Sequence, residues 1–117
     1  MLTNFISSIQ DGNMLAPKLM AEQLRVPMTD LARMARVNRN TLSTKAGSAA
    51  VQAGLGQIAR IIARAGELAG DEGRAILWFR HQPLPGFDGK TAEELVESGH
   101  GGAVIDYLES LDQGAYA

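Results

Sequence analysis

The chain has 117 residues, no cysteine, two histidines and a formal net charge of −2. Its length fits one domain, or two small lobes sharing a core, and the missing cysteine excludes a disulfide framework and a cysteine-ligated metal site. The charge is split: residues 1–64 carry eight basic side chains against three acidic ones, a net of +5, whereas 65–117 carry three against ten, a net of −7, which points to two surfaces for two partners.

Met1–Gln10 lacks the basic start and long apolar run of an export signal. The apolar stretch Ile58–Ala65 contains Arg60 and Arg64 and falls short of a membrane span. The expectation is a cytoplasmic protein with no membrane partner. Nothing reads as a strand: period-two alternation is nowhere sustained, and Ala, Leu, Met, Arg and Glu dominate, so an all-α fold is expected.

A first helix is predicted from Ala16 to Leu24, with Pro17 tolerated in its first turn. It ends at Arg25-Val26-Pro27, because the residue before proline is pushed out of helical space. Thr29 is expected to cap a second helix from Asp30 to about Arg36, with Leu31, Met34 and Ala35 inward. After a turn at Val37-Asn38, a third helix runs from Arg39 to about Ala46, anchored by Leu42. Gly47-Ser48 breaks it.

The fourth helix is the longest, Ala49 to Ala69. Val51, Leu55, Ile58, Ile62, Ala65 and Ala69 make one stripe, widened by Ile61 and Leu68. Gly54, Gly56 and Gly66 each cost it about 1 kcal/mol relative to alanine, so tight packing of another helix is expected there. Gly70 stops this helix and Asp71 caps the next, which carries Ala75, Ile76, Trp78 and Phe79. Residues 83–89 are a turn-rich connector. Thr91-Ala92-Glu93-Glu94 is a capping box that opens a short helix ending before Gly99. A last helix, Gly102 to Gln113, presents Val104, Leu108 and Leu111, and Gly114 ends it.

Two of these segments bear on function. Residues 29–46 have the length and turn of a helix-turn-helix unit. Leu31 and Ala35 face inward, Ala32 is small at the crossing, Val37 follows the turn, and the Thr41-Leu42 pair opens the second helix. The unit resembles the Xre-like helix-turn-helix of phage-repressor type. It departs from that pattern at Arg36, where glycine is usual and where a side chain in left-handed space is strained. Asn38, Arg39, Asn40, Thr41, Ser43, Thr44 and Lys45 are the candidate DNA contacts. Arginine pairs with guanine, asparagine with adenine, and hydroxyls with phosphates or base edges, while the +5 half attracts phosphate generally. The plain alternative is a helical hairpin with a solvated basic face.

The second segment, Asp71 to Tyr116, orders a Trp78 near a helix end, Pro83-Leu84, a glycine turn, Thr91-Ala92-Glu93-Glu94-Leu95-Val96, Gly99, Val104, Leu108 and Gly114-Ala115-Tyr116. This run resembles the toxin-binding domain of Xre/MbcA/ParS-type antitoxins. The departures are Ala92, where that family often has proline, and Pro83-Leu84 without a preceding Pro-Asn. The resemblance implies a helix-turn-helix domain followed by a small helical toxin-binding domain, linked by a long central helix: residues 1–14 an extension, 15–70 the helix-turn-helix region and 71–117 the toxin-binding domain. It also implies a partner, a RES-domain toxin that degrades NAD, whose active site the antitoxin blocks.

A toxin that handles an anionic dinucleotide should have a basic pocket. The acidic half, through Glu93, Glu94, Glu97, Asp106, Glu109 and Asp112, would complement it. Beyond Gly114, the tail Ala115-Tyr116-Ala117 would enter the pocket, with Tyr116 as aromatic anchor and the terminal carboxylate as anion mimic. The plainer reading packs Tyr116 back on Trp78 or Phe87. No catalytic set, metal site or cofactor loop is recognisable: Ser43 has no histidine at a useful spacing, and Gly54-x-Gly56 lies inside a helix with no strand before it. The sequence therefore reads as a non-enzymatic, cofactor-free antitoxin. Operator DNA is a second partner, and a homodimer is expected because such readers bind paired half-sites. The alternative is a stand-alone helix-turn-helix regulator whose C-terminal domain dimerises or senses a ligand.

Overall fold

The computed structural model describes residues 3–114. Its elements are α1 (Thr3–Ser8), β1 (Gln10–Asp11), β2 (Met14–Leu15), α2 (Pro17–Leu24), α3 (Met28–Ala35), α4 (Arg39–Thr44), α5 (Ala49–Ala69), α6 (Glu72–His81), α7 (Ala92–Glu97) and α8 (Gly101–Gly114). The fold is all-α apart from one small hairpin.

Helix α5 spans the predicted 21 residues and is the common floor. Val51, Leu55, Ile58, Ile61 and Ile62 are fully buried along it, each worth about 1.5–3 kcal/mol against exposure. Helices α1, α3, α6 and α8 and strand β2 all pack against it. Ser48 caps its start by accepting from the Val51 N–H at 3.3 Å. Gly70, at φ 76°, closes its end. Leu68, Ala69 and Leu111 were expected on buried faces, but all three are exposed. They lie near the ends of α5 and α8, at the rim of the helical packing.

Further expectations change. The hairpin β1–β2 exists, with Gln10 paired to Leu15 and Asp11 to Met14. Strands of two residues are too short to show alternation. Gln52 on α5 holds the hairpin: its side-chain oxygen accepts from Leu15 N–H, and its amide donates to the carbonyls of Leu15 and Ala46, at 2.8–2.9 Å. That amide stands where a neighbouring strand's peptide would. Within the expected N-terminal extension, Phe5 and Ile9 are fully buried in the core.

The second predicted helix starts two residues early. Pro27, extended at ψ 160°, occupies the N-cap of α3, and its carbonyl accepts from Asp30 and Leu31. Thr29 sits inside the first turn, exposed, and caps nothing. Helix α4 stops at Thr44 rather than Ala46, so that residues 45–47 turn into the Ser48 cap.

Elsewhere the local signals hold. Asp71 caps α6 by accepting from Gly73 N–H. Thr91 and Glu94 form the reciprocal capping box of α7, at 3.1 and 2.9 Å. Phe79 is fully buried, and Phe87 meets Tyr107 edge-on with ring centres 6.2 Å apart.

Two glycine-related positions set the packing. A Cβ on Gly54 would overlap the Ala35 carbonyl oxygen and lie 3.0 Å from the Ala35 Cβ, so α3 crosses α5 with no room for a side chain. A Cβ on Gly56 would meet nothing within 4 Å. Arg36 occupies the left-handed position after α3, at φ 59° and ψ 42°. Its guanidinium donates to the Glu97 carbonyl at 2.7 Å and so satisfies the C-terminal end of α7. It lies against Gly99, whose φ is +88°.

Two sets of variants test these contacts by chemical denaturation. Gly54→Ala should destabilise the protein by about 1–3 kcal/mol through overpacking, whereas Gly56→Ala should be neutral or add up to about 1 kcal/mol of helix propensity. Equal effects would mean that α3 and α5 are not in close contact. Arg36→Ala should lose about 1 kcal/mol of hydrogen bonding while keeping the backbone strain. Arg36→Gly should recover most of that loss, because glycine relieves left-handed strain of about 1–2 kcal/mol. Equal losses in the two would show that the strain is absent.

Candidate functional site

Two faces need description, one in each half of the chain. In the basic half, α3 and α4 are joined by the three residues Arg36-Val37-Asn38. Leu42 is fully buried and fixes α4 against the core, leaving Asn38, Arg39, Asn40, Ser43, Thr44 and Lys45 exposed and Thr41 half-buried. Asn38 uses its side chain as the helix cap, accepting from Asn40 N–H at 2.7 Å. Thr44 Oγ1 donates back to the Asn40 carbonyl at 2.8 Å. Among the described residues, Arg39 and Lys45 enter no ion pair. The face therefore offers two free cations, the Asn40 amide and the Ser43 hydroxyl.

In the acidic half, the three carboxylates expected on the binding face of α7 each have a partner within the chain. Glu93 is ion-paired with Arg80 at 3.0 Å, both side chains largely covered. Glu94 closes the capping box by accepting from Thr91 N–H. Glu97 pairs with Arg33 at 3.4 Å. Gly114 is the last residue of α8, and Ala115, Tyr116 and Ala117 lie outside the described residues. His81 is exposed, and His100 lies in the turn before α8, 3.0 Å from the Ser98 hydroxyl.

Two features were not singled out from the sequence. The first is Arg64, which gathers Glu67, Glu109 and Asp112 at 3.0, 2.8 and 2.9 Å and ties α5 to α8. Its guanidinium donates to Glu67 and to Glu109, and these hydrogen bonds, in that order, raise its pKa further above the ordinary arginine value. Three carboxylates around one guanidinium leave this flank negative. Arg33 is raised likewise, chiefly by its hydrogen bond to Asp30.

The second is a groove of about 300 Å³ between α5, α6 and α8, lined by Ala65, Leu68, Ala69, Arg74, Trp78 and Leu111 among others. Leu68 is 39% exposed and Leu111 45%. A wider cleft of about 670 Å³ lies on the other side of α6, with Arg25, Arg80 and the exposed Leu77 in its walls, and Arg74 borders both. The predicted stripe of the long helix contained Leu68 and Ala69. The signal available in the sequence was that this stripe runs on to Ala69, past Gly66, close to where the helix stops at Gly70.

Among the described residues, no group of three His, Asp or Glu side chains is placed to hold a metal ion, and no helix is long and apolar enough to cross a membrane. No curated protein and no solved structure matches the chain. The segment that runs from the last turns of α5 through the end of α8, residues 64–114, matches the family Antitoxin Xre/MbcA/ParS C-terminal toxin-binding domain.

Proposed function

We propose that the protein is the antitoxin of a type II toxin–antitoxin pair. In this reading its C-terminal segment binds and blocks a RES-domain toxin that degrades NAD, and its α3–turn–α4 unit represses its own operon. The observation that carries the reading is the match of residues 64–114 to an antitoxin toxin-binding domain. The tail Ala115–Ala117 follows directly on that segment and is the part offered to the toxin's pocket, with Tyr116 as its anchor.

Support for DNA binding comes from the other half. Arg39, Asn40, Ser43 and Lys45 share one exposed surface on and just after α4, carried by a core-anchored helix. Arginine and asparagine are the side chains that read guanine and adenine in the major groove. A homodimer fits this role, because paired half-sites need paired readers. Binding rather than catalysis also fits the disposition of charged groups, several of which serve as caps and interhelical ion pairs.

Co-expression with the product of the adjacent reading frame tests the toxin arm. That product should arrest growth when expressed alone, and the full chain should restore growth and co-purify with it. No complex together with no rescue overturns the reading. Deletion of Ala115–Ala117 should weaken rescue while leaving the thermal melt unchanged, and full protection by the truncated chain would remove the tail from the blocking role. For the DNA arm, Arg39→Ala should abolish the gel shift of the operon's own promoter and leave rescue intact. An unchanged shift would make α4 a scaffold and not a reader.

A further inference from the structure

We propose that the groove between α5, α6 and α8 is where the toxin docks, receiving an apolar projection of the toxin with a carboxylate beside it for Arg74. The proposal rests on the antitoxin reading and names the surface that reading needs. Three observations converge on it.

The groove has the composition of an interface centre. Single exposed leucines are ordinary, but Leu68 and Leu111 share one concavity with Ala69 and the half-buried Trp78. An apolar floor with charged side chains at its rim is the arrangement from which binding hot spots are built.

Arg74 at its edge is a charge left available. On α7 the carboxylates are engaged with Arg80, Thr91 and Arg33. Arg74, by contrast, has a side chain 77% exposed and only a 3.9 Å approach to Asp71. It can turn to a partner's carboxylate without breaking a strong contact. Next to Leu68 and Leu111 in sequence stand Glu67 and Asp112 of the Arg64 cluster, which is net negative. The groove is therefore positive at Arg74 and negative beside the α5–α8 seam, a pattern that fixes the orientation of a complementary partner.

Its position decides the occupant. Every residue lining the groove falls within 64–114, the segment that matches a toxin-binding domain. Leu111 stands one turn before Gly114, so the groove adjoins the point from which the tail departs. A toxin held here is held beside the tail proposed to block it.

The test uses the full chain and the purified product of the adjacent reading frame, with Kd measured by calorimetry. Leu68→Asp and Arg74→Glu should each raise Kd more than about tenfold, with unchanged helical content, while Lys18→Ala, at an exposed position of α2, should leave it unaltered. If the native chain binds and both groove variants bind within about twofold of it, the groove is not the docking surface and the antitoxin reading stands. If Leu68→Asp halves the mass of the chain alone by light scattering yet keeps toxin binding, the groove seats a second copy and the proposal is overturned. If the native chain does not bind, the antitoxin reading fails and the groove proposal fails with it. Should Leu68→Asp unfold the protein, Arg74→Glu, at an exposed side chain, carries the test alone.

Discussion

Burial of α5 is the constraint on which the other elements depend. A short chain has little interior to share, and here one helix supplies it to both halves. α3 lies on it through the Gly54–Ala35 crossing, while α6 and α8 lie on its second half. The same buried stripe that fixes α4 through α3 therefore also fixes the seam of the C-terminal segment. Even the first residues join, because Phe5 and Ile9 complete the floor that Val51 and Ile58 begin. A side chain at Gly54 would push on the N-terminal half, and loss of Ile62 would open the C-terminal one. The two functions proposed share a single source of stability.

The division of charge takes on a more specific meaning in this frame. A net of +5 beside a net of −7 first reads as two outward surfaces. Part of it is spent on pairs within the chain instead. Arg33 reaches Glu97, and Arg64 reaches Glu109 and Asp112, so basic residues of the first half hold acidic residues of the second. Exposed pairs of this kind are each worth little, and their effect is on register more than on stability: they set how α7 and α8 sit against α3 and α5. Other charges stay outward and enter no such pair among the described residues, among them Lys18, Arg25, Arg39, Lys45, Arg60 and Lys90.

Where the sequence was legible, a local rule was strong enough to act alone. The 21-residue apolar stripe of α5, the Asp71 cap and the Thr91–Glu94 box each need only neighbours within a few residues. Where it was not, a distant partner made the difference. The hairpin at 10–15 is held by Gln52, 37 positions away from Leu15. Thr29 looked like a cap by type, but Pro27, lacking an N–H, already stood in extended space one residue before the helix. Leu111 had the right spacing for burial, yet it opens onto the groove between α5, α6 and α8. The acids of α7 looked available because their partners, Arg80 and Arg33, lie 13 and 64 positions away.

Arg36 shows how such a distant partner explains a local irregularity. In the turn between α3 and α4 a glycine would be unstrained, so an arginine there needs a compensating gain. The gain lies 61 positions on, where the guanidinium caps the carbonyl end of α7 and rests on Gly99. The turn that orients α4 and the helix that opens the Thr91 box are thus one hydrogen bond apart. Strain at this one residue is kept because the far end of the chain uses it, and it ties the α3–α4 turn to the end of α7.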